Sequence, residues 1–114
     1  MILKGTLVNR QVLMVYRAAS WLSRMKGLLA LPQLKQNEGL WLQPCPSIHT
    51  WFMGYTIDVV FFDNQGTVLK RVEQLKPWRT AACWRSVGCL ELPAGDIQRL
   101  NICDGETLQW QASE

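Results

Sequence analysis

The chain has 114 residues, 48% apolar and 18% charged, a composition that suits one globular domain with a core and excludes a disordered chain. Twelve Lys and Arg against nine Asp and Glu give a net charge of +3, and no basic run exceeds Lys70-Arg71. Without a phosphate-tracking stripe, nucleic acid is not an expected partner. No apolar run, Val59 to Phe62 included, approaches a membrane span, and Met1-Ile2-Leu3-Lys4-Gly5 lacks the pattern of a secretory leader. The expectation is a soluble cytoplasmic protein with no membrane partner, its four cysteines (Cys45, Cys83, Cys89 and Cys103) held as reduced thiols.

In chain order, Ile2 to Val8 and Gln11 to Tyr16 are β-branched and apolar segments separated by Asn9-Arg10, which predicts a hairpin. From Ala18 to Ala30 the period changes. Trp21, Leu22, Met25, Leu28 and Leu29 recur at three- and four-residue steps, predicting a helix that Pro32 stops. Gly39 to Leu42 reads as a short strand ended by Pro44 and Pro46. Thr56 to Phe62 is the strongest strand, and Asp63-Asn64-Gln65-Gly66 turns it back into Thr67 to Val72. Ser86 to Leu92 is another strand. Pro93-Ala94-Gly95-Asp96 leads into a short second helix with Ile97, Leu100 and Ile102 inside, and Asp104-Gly105 turns into a last strand, Glu106 to Gln111. About seven short strands without βαβ alternation predict a mainly β single domain over residues 1–114. The architecture is a small barrel or sandwich with one helix packed across it.

The chemistry-bearing residues gather in PCPSIHTWFMGYTIDVVFFD, residues 44–63. His49, the only histidine, lies four residues after Cys45 and nine before Asp58. Cys45 and His49 as nucleophile and base would need Asp58 or Glu91 to orient the imidazole. Against that, no Gly-rich turn enters a helix as an oxyanion site, and Pro44-Cys45-Pro46 is no helix N-terminus. A metal site is not expected either: there is one histidine and no C-x-x-C spacing, and no cofactor is implied.

In the structural reading His49 ties its ring to a carbonyl or to Asp58. Asp58, interrupting an apolar strand, pairs with Arg79, Arg71 or His49, and Glu91 repeats the pattern in Leu90-Glu91-Leu92. Lys76-Pro77-Trp78-Arg79 presents an aromatic and a guanidinium together, a device that recognises anions and peptide termini or clamps an internal acid. Six tryptophans are many for 114 residues, and Trp51, Trp78 and Trp84 fall in loops. The favoured reading is a binding module with a polar and aromatic cleft of His49, Trp51, Asp58, Trp78, Arg79 and Glu91. It would take a small polar ligand or a protein segment. The alternatives are an enzyme using Cys45 and His49, and a purely structural scaffold.

Several motifs also occur in one known order. They are Arg24-Met25-Lys26-Gly27-Leu28-Leu29, Glu38-Gly39-Leu40-Trp41-Leu42, Ser47-Ile48-His49-Thr50, Ile57-Asp58-Val59-Val60-Phe61, Gly66-Thr67-Val68-Leu69, Lys76-Pro77-Trp78-Arg79 and Leu90-Glu91-Leu92-Pro93-Ala94-Gly95. From about Ala18 to Leu108 the chain resembles the family named domain of unknown function 192. That resemblance implies a compact β-barrel-like or sandwich domain crossed by a helix, and no established activity.

Overall fold

The computed structural model describes residues 2–6, 12–18, 35–36, 38–43, 45, 47–50 and 54–112. They contain nine strands: β1 Ile2–Thr6, β2 Val12–Ala18, β3 Glu38–Leu42, β4 Ser47–His49, β5 Ile57–Phe62, β6 Val68–Leu75, β7 Thr80–Ala82, β8 Gly88–Pro93 and β9 Gln109–Ala112. One short helix, α1, spans Asp96–Arg99. Seven strands form a single sheet in the order β6-β5-β8-β3-β2-β1-β9, and they are the seven expected from the sequence. The other two, β4 and β7, form a second antiparallel sheet, His49 opposite Thr80 and Ser47 opposite Ala82. Sequence reading took both for loop, because three residues carry too little alternation to show a period.

β1 and β2 form the expected hairpin. Beyond it, β2 and β3 run parallel, Met14 opposite Glu38 and Ala18 opposite Leu42. A parallel pair requires a crossover of a dozen or more residues, and 19–37 supply it. Ala18 belongs to β2 and does not open the predicted helix; the remainder of that helix, 19–30, lies outside the described residues.

The large sheet is not a closed barrel, and the domain is sandwich-like and mainly β. Its outer strands are nevertheless tied at one end. The Val68 N–H donates to the Glu106 carbonyl, Gly105 N–H to Val68 and Leu108 N–H to Gly66, each at 2.8 Å, around a bridge between Thr67 and Thr107. The segment 106–108, read as the start of the last strand, serves as this clasp before β9 begins.

All six residues of β5 are buried, so its two faces feed two cores. Val60 and Phe62 join Leu90 and Leu92 of β8 with Ile97, Leu100 and Ile102, the inward positions read from the sequence. Ile57, Val59 and Phe61 join Leu40, Leu42, Ile48, Cys45 and Cys89 on the other side. Burial of aliphatic and aromatic side chains on both faces is the main stabilising term.

Candidate functional site

Asp58 sits in the middle of this apolar strand with 0% of its surface exposed. Its partners are not Arg79, Arg71 or His49 but three backbone amides. Gln74 N–H donates to Oδ1 at 2.8 Å, and Gly95 and Ile97 N–H donate to Oδ2 at 3.0 and 2.9 Å. Arg71 instead bonds Asp104 at 2.8 Å and the Ile102 carbonyl at 3.0 Å. The ladder shifts register between Ile57 and Val59 opposite β6, and Gln74 takes a left-handed φ of 55° there. The carboxylate holds that bulge and the entry to α1 together, as amide bonds to a buried anion can.

Strand alternation then separates the predicted residues. Asp58 lies on the Val60 and Phe62 face, whereas Cys45, Ile48 of β4 and Cys89 pack on the Val59 and Phe61 face. Asp58 pairs with Leu92 and Val59 with Glu91, so Glu91 faces the side opposite Asp58. The two acids are not a carboxylate pair, and Cys45, His49 and Asp58 do not converge. Glu91 is buried. Burial first, and the charge of Glu91 second, push the half-buried Tyr55 phenol above its ordinary value of 10.0. The Cys45 thiol is 0% exposed and donates to the Ser47 carbonyl at 3.2 Å. Among the described residues, no three His, Cys, Asp or Glu side chains group as a metal would require.

Trp78 and Arg79 are held beside the end of β4, next to His49, by Thr50, for which the sequence suggests only a local side-chain turn bond. Thr50 is buried just after β4. Its hydroxyl donates to the Lys76 carbonyl at 2.6 Å and accepts the Arg79 N–H at 2.9 Å. Its own N–H donates to the Arg79 carbonyl at 2.9 Å, and its carbonyl accepts Trp78 N–H at 3.1 Å. One threonine thus fixes both ends of Lys76-Pro77-Trp78-Arg79. The signal available was a Thr beside the only His; its partners, at residues 76–79, are local to nothing in the sequence. Trp51 lies outside the described residues.

Held this way, Trp78 takes a left-handed φ of 64° and is 56% exposed. Arg79 is exposed and reaches only the Trp78 carbonyl, at 3.2 Å, so it is not the internal clamp on Asp58 or Glu91. At the other end of β7, Trp84 is 85% exposed beside exposed Arg85. Between them lies β7, whose Thr80 and Ala82 face outward and whose three residues rise roughly 10 Å. A separate open cleft of about 530 Å³ lies at the far end of the β5–β6 hairpin, with Trp41, Gln43, Asn64 and Gln65 among its lining. None of His49, Asp58, Trp78, Arg79 and Glu91, the predicted binding residues that are described, lines it.

The hydroxyl of Thr50 supplies a first prediction. Thr50→Val keeps the shape but strands the Lys76 carbonyl and the Arg79 N–H, so the domain should lose about 2 kcal/mol in urea unfolding. The amides of Trp78 and Arg79 should exchange faster by hydrogen–deuterium exchange. Unchanged exchange there would mean that the loop is held by something other than Thr50.

The fold and site define a small mainly β domain whose exposed large apolar side chains, among the described residues, are Trp78 and Trp84. The chain belongs to the DUF192 family, described as an uncharacterised ACR, whose model matches residues 4–110. A UPF0127 protein of Thermococcus sibiricus is 30% identical over 104 residues, covering 85% of this chain and 66% of the relative's length, a little short of two thirds. A crystal structure from Sinorhizobium meliloti 1021, of a candidate transcription regulator, matches with a TM-score of 0.81 at 20% identity, over 96% of this chain and 92% of the other. A Novosphingobium aromaticivorans protein of unknown function matches with a TM-score of 0.80 at 21% identity, over 96% and 84%. At these identities the two structures speak for the fold alone. Among the described residues no helix is long and apolar enough to cross a membrane.

Proposed function

We propose that the domain is a binding module for an extended, acidic protein segment, read by the Trp78-Arg79 loop, the outer face of β7 and Trp84-Arg85. The observation that carries this is Trp78: a bulky residue kept in a left-handed conformation, and over half exposed, by the bonds of one buried threonine. A bulky left-handed residue costs on the order of 1 kcal/mol, and such strain persists where it presents something. Tryptophan and arginine are the residues most enriched among binding hot spots. Two exposed indoles at opposite ends of a strand suit a chain laid along it better than a small ligand, which is usually enclosed. Lys76, Arg79 and Arg85 are all exposed here, which favours an acidic partner. The buried Cys45 thiol speaks for this reading over cysteine catalysis, which needs an accessible thiolate.

The test is selection of a random peptide library on the folded protein. Enriched peptides should combine Asp or Glu with an apolar anchor. They should lose at least ~10-fold in affinity on Trp78→Ala/Trp84→Ala. The double variant should keep its stability within roughly 1 kcal/mol, since both indoles are largely outside the core. Selected peptides that bind the variant equally well would place the binding surface elsewhere.

A further inference from the structure

The four cysteines have no C-x-x-C spacing, yet the fold brings two of them together. Cys89 lies in β8 opposite Leu42 of β3, and Cys45 follows three residues beyond Leu42. The backbone of Cys45 is fixed on both sides. Its N–H donates to the Val87 carbonyl at 3.3 Å, and its carbonyl accepts the Ser86 hydroxyl at 2.9 Å. Both side chains are 0% exposed, and their sulfurs stand 2.8 Å apart, the Cys89 thiol directed at Cys45 Sγ. A disulfide requires a sulfur separation of about 2.05 Å, less than 1 Å closer. Cys83 is half-buried, and Cys103 is exposed with its thiol on the Asn101 carbonyl at 3.6 Å.

We propose that Cys45 and Cys89 form a specific dithiol–disulfide pair that bridges under oxidising conditions, locking the loop before β4 to β8. With a small disulfide of the glutathione type as oxidant, one protein thiolate attacks it and displaces one glutathione thiolate. The second protein thiolate then attacks the mixed disulfide, forms the Cys45–Cys89 bond and displaces the other. Two protein thiols are oxidised, one glutathione disulfide is reduced to two thiols, and two protons pass to the released thiolates. Because both sulfurs are buried, exchange on the folded protein must wait for a local opening, so the bridge forms most readily during folding.

The experiment refolds the reduced chain from denaturant with excess oxidised glutathione, alkylates remaining thiols and digests with trypsin. The four cysteines fall in four different fragments, 36–70, 80–85, 86–99 and 100–114, so a bridge identifies its own partners. The expected product joins 36–70 to 86–99, in the wild type and in Cys83→Ser/Cys103→Ser. The melting temperature should rise on the order of 10 °C over the alkylated protein, as closure of a long loop predicts. Adding Cys89→Ser to that double variant should leave Cys45 carrying glutathione. Fragments 36–70 and 86–99 recovered separately, each bearing glutathione or alkylating agent, would overturn the proposal.

Discussion

Asp58→Ala is expected to cost about 4 kcal/mol, of the 5–15 kcal/mol typical of a domain. The carboxylate is buried and accepts three backbone amides, from Gln74, Gly95 and Ile97. Alanine removes the acceptor of all three donors, one fully buried and two partly so, at roughly 1–1.5 kcal/mol each. Asp58→Asn should recover about half. Its amide oxygen can keep Gly95 and Ile97, but its amino group then faces the Gln74 N–H, donor against donor. Urea unfolding measures both, and Gln74 and Ile97 amide exchange should locate the damage. A loss below ~1 kcal/mol in the alanine variant would mean the three amides find other acceptors, and the bulge would then owe nothing to Asp58.

Gly66→Ala should be nearly as severe, about 3 kcal/mol, because two penalties coincide. Gly66 has a φ of +85°, and a Cβ built there would come within 2.5 Å of the Leu108 carbonyl oxygen. That oxygen is backbone in the clasp between β6 and the segment before β9, and Gly66 itself accepts the Leu108 N–H. Left-handed strain alone costs about 1 kcal/mol, and the collision adds the displacement of the clasp. Gly105 provides the control. Its φ is also +85°, but nothing lies within 4 Å of the added Cβ. Gly105→Ala should therefore cost only about 1 kcal/mol in the same denaturation series. Equal losses at the two positions would show that the clasp yields freely and contributes little.

Much of the fold was legible because it is periodic. An unbroken apolar run marks β5, Asp63 to Gly66 has turn chemistry, and Ile97, Leu100 and Ile102 repeat toward the core; all three occur as expected. What failed has a common cause. In the sequence Asp58 is an acid in an apolar strand, either paired or facing solvent, and the expected partners are Arg79, Arg71 and His49, because side chains are what a sequence displays. Its partners are amides, which every residue but proline carries and none advertises. The β4–β7 sheet was missed since its strands are three residues long and their pairing joins residues some 33 apart, Ser47↔Ala82 to His49↔Thr80. Thr50 was expected to make a local turn bond, but its hydroxyl partners lie 26 and 29 residues away.

The sequence by itself determined the seven strands of the main sheet, the core faces of β5 and α1, and the family. These follow from local alternation and from ordered motifs, which survive in one dimension. Tertiary structure alone decided which polar residues meet. Asp58 and Glu91, both in apolar strands, end on opposite sides of one sheet, and Cys45, nearer in sequence to His49, lies against Cys89. A strand's two faces are 180° apart at each residue, so sequence proximity and spatial proximity part company wherever a sheet stands between two cores.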